Sequence, residues 1–219
     1  MPTDRPHGPI QDPRINAVID RLQAPPRRSP AGGGSHGNPM RGGSRDPHDY
    51  AEQGFSISPD QGELIYLLCR GLRATRVVEF ATSVGMSTVY FAAAMRDNGG
   101  GKVIGSEIVP AKVVAAKRNL ADAGLADYAE IREGDARKTL RDLGGPVDFI
   151  LIDGWPGGTG PTLARQVIEI VAPQLQVGGY VMNDNAEPDF LEFVRDPRNG
   201  FLSVTLPLKG GTELCLKVA

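Results

Sequence analysis

The feature that most constrains the fold is an alternation of strand-like and helix-like segments that begins near residue 58. Short apolar runs rich in Val, Ile and Phe recur between longer segments whose apolar residues follow helical spacing. The alternation predicts five strands, at residues 76–80, 102–107, 129–132, 148–153 and 180–183. It also predicts a helix that starts at Ser58 and further helices at 87–96, 110–123, 136–143 and 161–175. Because such strands join through right-handed crossovers, the pattern predicts a mainly parallel sheet.

The end of the chain breaks this alternation. Residues 202–206 and 213–218 are strand-like, and the six residues between them are too few for a crossover helix. They therefore predict an antiparallel hairpin at the edge of the sheet. The fold class that follows is α/β, with a doubly wound, mainly parallel seven-stranded sheet that ends in an antiparallel hairpin. This order differs from the six-stranded parallel dinucleotide-binding fold.

The N-terminal part of the chain differs in composition from the rest. Residues 10–23 predict a short amphipathic helix with Ile15, Val18 and Ile19 on one face. Residues 25–47 are rich in Pro, Gly and Arg and predict a mobile loop, because they offer little apolar surface to bury. We therefore divide the chain into an N-terminal helix and loop at 1–49 and a principal domain at 50–219. The first part could act as a lid over a pocket or contact a neighbouring subunit.

Composition limits the classes of function. The chain has 219 residues, 40% of them hydrophobic, which is enough for one sizeable α/β domain. Its formal net charge of −2 argues against a nucleic-acid or anionic-membrane partner. No signal peptide or transmembrane run is evident, so we expect a cytoplasmic protein. Both cysteines lie in apolar runs and predict buried thiols, and the three histidines all lie within the first 48 residues.

Acidic residues stand at or just beyond the carboxyl end of every predicted parallel strand. In chain order they are Glu79, Glu107, Asp135, Asp153 and Asp184, and none has Lys or Arg directly beside it. Ligands of doubly wound sheets bind at these strand ends. A pyrophosphate would favour glycine amides and a nearby cation instead. An acidic crescent suits a ligand with an ammonium, a sulfonium and ribose hydroxyls, which describes S-adenosylmethionine (SAM).

The chemistry of SAM suggests a role for each position. Glu107 would accept the two ribose hydroxyls, as the acid at this place does in nucleotide-binding folds. Ile108 would offer an apolar face to the adenine. Asp135 would accept from the adenine amine, with the Ala136 amide serving a ring nitrogen.

The loop after the first strand would hold the methionyl part of SAM. Glu79 would orient the loop amides or the methionyl ammonium. The Ser87 hydroxyl and the free amides of the following helix would hold the methionyl carboxylate. For any single acid in the crescent, a helix cap or a solvated turn is the alternative interpretation.

The loop itself resembles a known family. Residues 79–87 read Glu-Phe-Ala-Thr-Ser-Val-Gly-Met-Ser. They resemble the Glu-x-Gly-Thr-x-x-Gly-x-Ser loop of the metal-dependent O-methyltransferases, which include the catechol and caffeoyl-coenzyme A O-methyltransferases and bacterial relatives. Further similar segments follow the family's order: 57–62, 134–136, Asp153, 177–180 with Asp184-Asn185, and the final hairpin. The resemblance covers about residues 50–218.

The resemblance implies a ligand set and an activity. It implies SAM-dependent O-methylation of a small, hydroxylated aromatic acceptor by a homodimer. It places Asp153 at the reaction centre and implies that a divalent cation, Mg²⁺ or Ca²⁺, is held by Asp153, Asp184 and Asn185. The remaining positions that it places beside SAM are Ile57, Ala81, Thr82, Gly85, Ser87 and Trp155.

Some residues depart from the family pattern and leave alternatives open. Ala81 replaces the first glycine of the loop, and no Lys or His follows Asp153 to act as a base. Residues 186–190 differ from the family's usual acceptor-binding run. One alternative is a metal-independent SAM methyltransferase for another small acceptor. The other is a non-catalytic module with this fold that only binds.

Overall fold

The computed structural model describes residues 8–24, 44, 46–154 and 160–219. Its principal elements, in chain order, are α1 Pro13–Gln23, α2 Pro59–Leu72, β1 Arg76–Phe80, α3 Met86–Asp97, β2 Lys102–Glu107, α4 Pro110–Asp122, β3 Ala129–Glu133, α5 Ala136–Thr139, β4 Val147–Ile152, α6 Leu163–Val171, β5 Leu175–Asn183, α7 Pro188–Arg195, β6 Phe201–Leu206 and β7 Thr212–Lys217. Trp155 and nearly all of the predicted loop at 25–47 lie outside the described residues.

The sheet has the predicted architecture. Its seven strands run in the order β3-β2-β1-β4-β5-β7-β6. Strands β1 to β5 pair in parallel, whereas β7 is antiparallel to both β5 and β6. The doubly wound fold class with its antiparallel end hairpin is therefore confirmed. The order reverses at β1, which places a ligand site at the carboxyl ends of the central strands.

Four elements differ from the prediction. Helix α5 is a single turn, because Leu140 and Leu143 are both buried and the chain bends into the core after Thr139. Helix α6 ends at Val171, two residues before Pro173, which cannot continue a helix. Strand β5 then starts at residue 175 instead of 180. Helix α7 was not predicted.

Alternate residues of the central strands pack into two apolar layers, one on each face of the sheet. Val77 and Leu151 pack with helices α1 to α4, and Val78 and Ile150 pack with α5 to α7. Successive side chains of a strand point to opposite faces, so one run of apolar residues supplies both layers. The central strands β1 and β4 are almost wholly buried, which gives the site a rigid floor.

Helix α1 packs against its own chain. Its apolar residues Ile15, Val18 and Ile19 are buried in the same cluster as α3 and α4. Asp12 caps the helix and forms a 2.6 Å ion pair with Arg96 of α3. The division of the chain at residue 49 stays a prediction, as does the assignment of residues 1–49 to a lid or a subunit contact.

The predicted buried thiols are confirmed: Cys69 and Cys215 are both buried and free, and burial raises the pKa of each thiol. Among the helices of the described ranges, none has the length and apolarity needed to cross a lipid bilayer.

Candidate active site

Four acidic side chains meet at the carboxyl edge of the sheet. Glu79 and Glu107 lie at the ends of β1 and β2, and Asp153 and Asp184 directly follow β4 and β5. These four strands are neighbours in the sheet. Three of these carboxylates are buried, and that of Asp153 is partly exposed. The structure thus brings together the central part of the acidic crescent that the sequence predicts.

Glu79 is fully buried beneath the loop that joins β1 to α3. Its carboxylate accepts hydrogen bonds from the hydroxyls of Thr82 (3.0 Å), Thr88 (2.6 Å) and Ser87. Burial raises the pKa of Glu79, although the three hydroxyl donors oppose this effect. Glu79 therefore ties both ends of the loop to the strand below.

The loop adopts a left-handed backbone at three positions. Ala81, Ser83 and Gly85 have φ values of 67°, 50° and 88°. A Cβ atom on Gly85 would lie 3.2 Å from the Cβ of Ala116, so glycine is needed there for conformation and for space. Ala81 holds the same kind of backbone where the family has glycine, at a cost of about 1 kcal/mol.

Glu107 is held by backbone amides. One carboxylate oxygen accepts from the amide of Ser83 at 2.7 Å, and the other accepts from the amide of Val109 at 2.9 Å. A carboxylate has about four acceptor positions, so each oxygen can still accept a ligand hydroxyl. The neighbouring Ile108 is 42% exposed, although it is apolar. An oriented acid beside an exposed apolar side chain suits a ribose joined to a base.

The segment before α2 packs onto this loop. The amide of Phe55 donates to the Ser83 hydroxyl at 3.0 Å, and Ile57 is buried. The Phe55 ring lies 4.9 Å from the ammonium of Lys112, which is itself buried. Burial lowers the pKa of Lys112, and the nearby Glu107 opposes this.

Asp135 has a different setting from the other acids. It caps α5 through the Arg137 amide at 2.9 Å and forms a bidentate ion pair with the Arg137 guanidinium. The hydrogen bonds from the Arg137 side chain lower the pKa of Asp135. Its carboxylate thus already has a strong cationic partner. Ala136, the first residue of α5, is buried.

The pair formed by Asp153 and Asp184 already contacts a cation. One oxygen of Asp184 accepts from the Lys209 ammonium at 2.5 Å. The other accepts from the side-chain amide of Gln61, which also donates to the Thr212 hydroxyl at 2.9 Å. Burial and the adjacent Asp184 carboxylate raise the pKa of Asp153, and Lys209 opposes this.

This arrangement places an ammonium at the carboxylate where the resemblance implies a divalent cation. Both oxygens of Asp184 already accept from side-chain donors. The amide nitrogen of Asn185 donates to the Gly154 carbonyl and to Glu187, at 3.3 Å in each case. Across the described ranges, no group of three or more His, Cys, Asp and Glu side chains is placed to hold a metal.

Sequence reasoning missed four residues that complete the site. Thr88, Gln61, Thr212 and Lys209 all contact the central carboxylates or their partners. Gln61 was predicted in the helix start at Ser58 and in the family-like segment 57–62; it caps α2 and also reaches Asp184. Lys209 lies in the turn between β6 and β7, and no local pattern of the sequence links it to Asp184 or Ser56. Trp155, predicted to lie beside SAM, is outside the described residues.

Replacing Glu79 with Ala should destabilise the protein by about 2–4 kcal/mol, because three buried hydroxyls would lose their acceptor. Urea unfolding would measure this. Glu133→Ala is the matched control, since Glu133 also ends a strand but is exposed. A loss no larger than that of the control would contradict the role given to Glu79.

The same site predicts a pH dependence. Burial raises the pKa of Glu79 above its ordinary value of 4.5, so the folded protein binds this proton more tightly than the unfolded chain. As the pH rises above 4.5, ionisation of the Glu79 carboxyl therefore lowers the free energy of unfolding. Relative to Glu79→Gln, the wild type should gain stability as the pH falls from neutral towards that value. A constant difference between the two would argue against the raised pKa.

Comparison with known proteins agrees with this geometry. A family model described as a methyltransferase domain matches residues 78–186. The catechol O-methyltransferase of Niastella koreensis is 36% identical over 103 residues, which are 45% of this chain and 46% of that protein. The catechol O-methyltransferase of Mycobacterium tuberculosis is 32% identical over 142 residues, 62% of this chain and 64% of that protein. The chain thus spans less than two thirds of either relative.

Solved structures show the same fold. The O-methyltransferase TomG of Streptomyces achromogenes, in complex with SAM, superposes with a TM-score of 0.63 at 20% identity, covering 96% of this chain and 100% of that one. The O-methyltransferase of Bacillus cereus, in complex with S-adenosylhomocysteine, gives 0.63 at 20% identity, with coverages of 95% and 92%. Residues 78–186 therefore match the methyltransferase-domain family, and the chain is similar to catechol O-methyltransferases over part of its length. Its fold is that of the solved O-methyltransferases.

Proposed function

We propose that the protein transfers a methyl group from SAM to an oxygen of a small, hydroxylated aromatic acceptor. The observation that carries the proposal is the row of carboxylates Glu79, Glu107, Asp153 and Asp184 on four adjacent strand ends. A donor that bears a sulfonium and an ammonium is attracted to such a row, whereas a pyrophosphate is repelled. The relatives named as catechol O-methyltransferases support the same reaction class.

The residues at the edge of the sheet suit the parts of SAM. We assign the ribose to Glu107 and the adenine to Ile108 and the Asp135-Ala136 turn. The methionyl part would lie on the loop that contains Ala81, Thr82 and Gly85, with Ile57 nearby. The Ser87 hydroxyl donates to Glu79. We therefore assign the methionyl carboxylate to the backbone amides in the first turn of α3.

When bound, SAM supplies a methyl carbon that an acceptor oxygen can attack as the carbon–sulfur bond breaks. The chain's main contribution is then alignment of the acceptor oxygen with that carbon. We assign Asp153 as the group that takes the proton from the acceptor hydroxyl, at a carboxylate oxygen. Its raised pKa makes it a stronger proton acceptor than an exposed aspartate. A divalent cation is not part of this proposal, because the Lys209 ammonium already lies at the Asp184 carboxylate.

The activity itself can be tested with a panel of catechols and matched aromatics that lack hydroxyls, with the methylated products detected by mass spectrometry. We expect methylation at oxygen of the hydroxylated compounds alone. Asp153→Asn should lower kcat by about 100-fold or more, a larger change than the loss of SAM affinity that follows from removing one carboxylate of the row. Asp142→Asn, at an exposed position, is the control. SAM binding without transfer to any acceptor would favour the non-catalytic alternative.

Cofactor binding has a separate test. Glu107→Ala should weaken SAM binding by about 10- to 100-fold in calorimetry, because the variant loses the ribose acceptor and the two amide contacts that shape the loop. Glu133→Ala provides the control, since Glu133 pairs with Glu107 across the sheet and is exposed. Equal affinities in the two variants would contradict the assignment of Glu107.

We also propose that the protein is a homodimer in the cytoplasm, chiefly from the resemblance. Edge strand β6 carries two exposed apolar side chains, Leu202 at 62% and Val204 at 53%, which supports an association surface. Sedimentation velocity should show a dimer, and a single monomeric species would contradict this.

A further inference from the structure

We propose that the Lys209 ammonium takes the place of the divalent cation at the acidic pair Asp153 and Asp184, so that the protein works without a bound metal. The catalytic part of this inference rests on the function proposed above, whereas the part about cation binding does not. It arises from the disagreement between the ligand set implied by the resemblance and the contacts in the structure.

The contact between Lys209 and Asp184 is close and sheltered. The ammonium nitrogen lies 2.5 Å from one Asp184 oxygen and 3.3 Å from the carbonyl of Ser56. The Asp184 side chain is only 1% exposed. A charge pair this buried at one partner is screened far less than a surface ion pair. Lys209 therefore places a positive charge directly beside the Asp184 carboxylate.

A divalent ion would have to share the Asp184 carboxylate with two donors that already hold it. Gln61 donates to the second Asp184 oxygen and is itself fixed by the Ser58 capping box and by Thr212. A metal ion bound at Asp184 would therefore lie beside the Lys209 ammonium. Two cations at this distance repel each other, so the ammonium and a doubly charged ion compete for the same carboxylate.

The turn that carries Lys209 is built to direct it inward. Lys209 lies between β6 and β7 and has a φ of 48°, in the left-handed region that non-glycine residues seldom occupy. Gly210 and Gly211 follow it, with φ values of 91° and 136°. A strained residue of this kind persists where the surrounding contacts require it. Here those contacts are the ones that Lys209 makes with Asp184 and Ser56.

The charges also balance better with lysine than with a metal. The two carboxylates and one ammonium leave a single negative charge when both acids are ionised, which suits the net positive charge of SAM. An ammonium has three N–H donors, and Asp184 and Ser56 account for two of them. The third is suited to an acceptor oxygen, whose developing charge it would stabilise as a cation would.

Calorimetric titration with Mg²⁺ and with Mn²⁺ tests the inference directly, with thermal unfolding at matched ionic strength as a second readout. The wild type should show no saturable binding and no metal-specific shift in Tm. Lys209→Met should lose about 5–10 °C in Tm, because the two acids lose their counter-charge, and added metal should restore part of this loss. Lys209→Arg keeps the positive charge and should likewise show no saturable metal binding, and Lys117→Met, at an exposed lysine, is the control.

Saturable Mg²⁺ or Mn²⁺ binding by the wild type would overturn the inference. Methyl transfer that stops on chelation and returns with Mg²⁺ would overturn it too. If Lys209→Met does not fold, the wild type and Lys209→Arg still decide the matter. If no acceptor is methylated, the proposed function fails, but the titrations still show whether Lys209 excludes the metal.

Discussion

The Asp184 carboxylate joins parts of the chain that are far apart in sequence. It follows β5, and its two oxygens contact Gln61 at the start of α2 and Lys209 in the β6–β7 turn. Because a carboxylate this deeply buried must be neutralised and hydrogen-bonded, these segments must come together in the folded protein. The end hairpin and α2 are therefore held against the carboxyl edge of the sheet, where the site is built.

Glu79 and Glu107 hold the loop between β1 and α3 in place. Glu79 fixes the loop from below through three hydroxyls, and Glu107 fixes it from the side through the Ser83 amide. The loop can then keep left-handed backbone at Ala81 and Ser83 without glycine. Buried polar contacts thus offset the conformational cost of an alanine at position 81.

The sequence alone predicted the architecture of the sheet and the acidic residues at its strand ends. Alternation of apolar runs and the short gap before residue 213 reflect local periodicity and connection length, which a sequence displays directly. It was insufficient for Lys209 and for the second role of Gln61. Their partner, Asp184, is more than 100 residues from Gln61, and only the folded chain shows which donors reach it. The early end of α5 likewise depends on the burial of Leu140 and Leu143, which is a tertiary effect.

The central question is whether the positive charge beside Asp153 and Asp184 is the Lys209 ammonium or a divalent cation. A crystal structure with S-adenosylhomocysteine, grown in Mn²⁺ and measured for anomalous scattering, would show that charge directly. We predict that the Lys209 ammonium lies within hydrogen-bond distance of Asp184 and that no anomalous peak is present at Asp153 and Asp184. A Mn²⁺ peak among Asp153, Asp184 and Asn185, with Lys209 displaced, would contradict it.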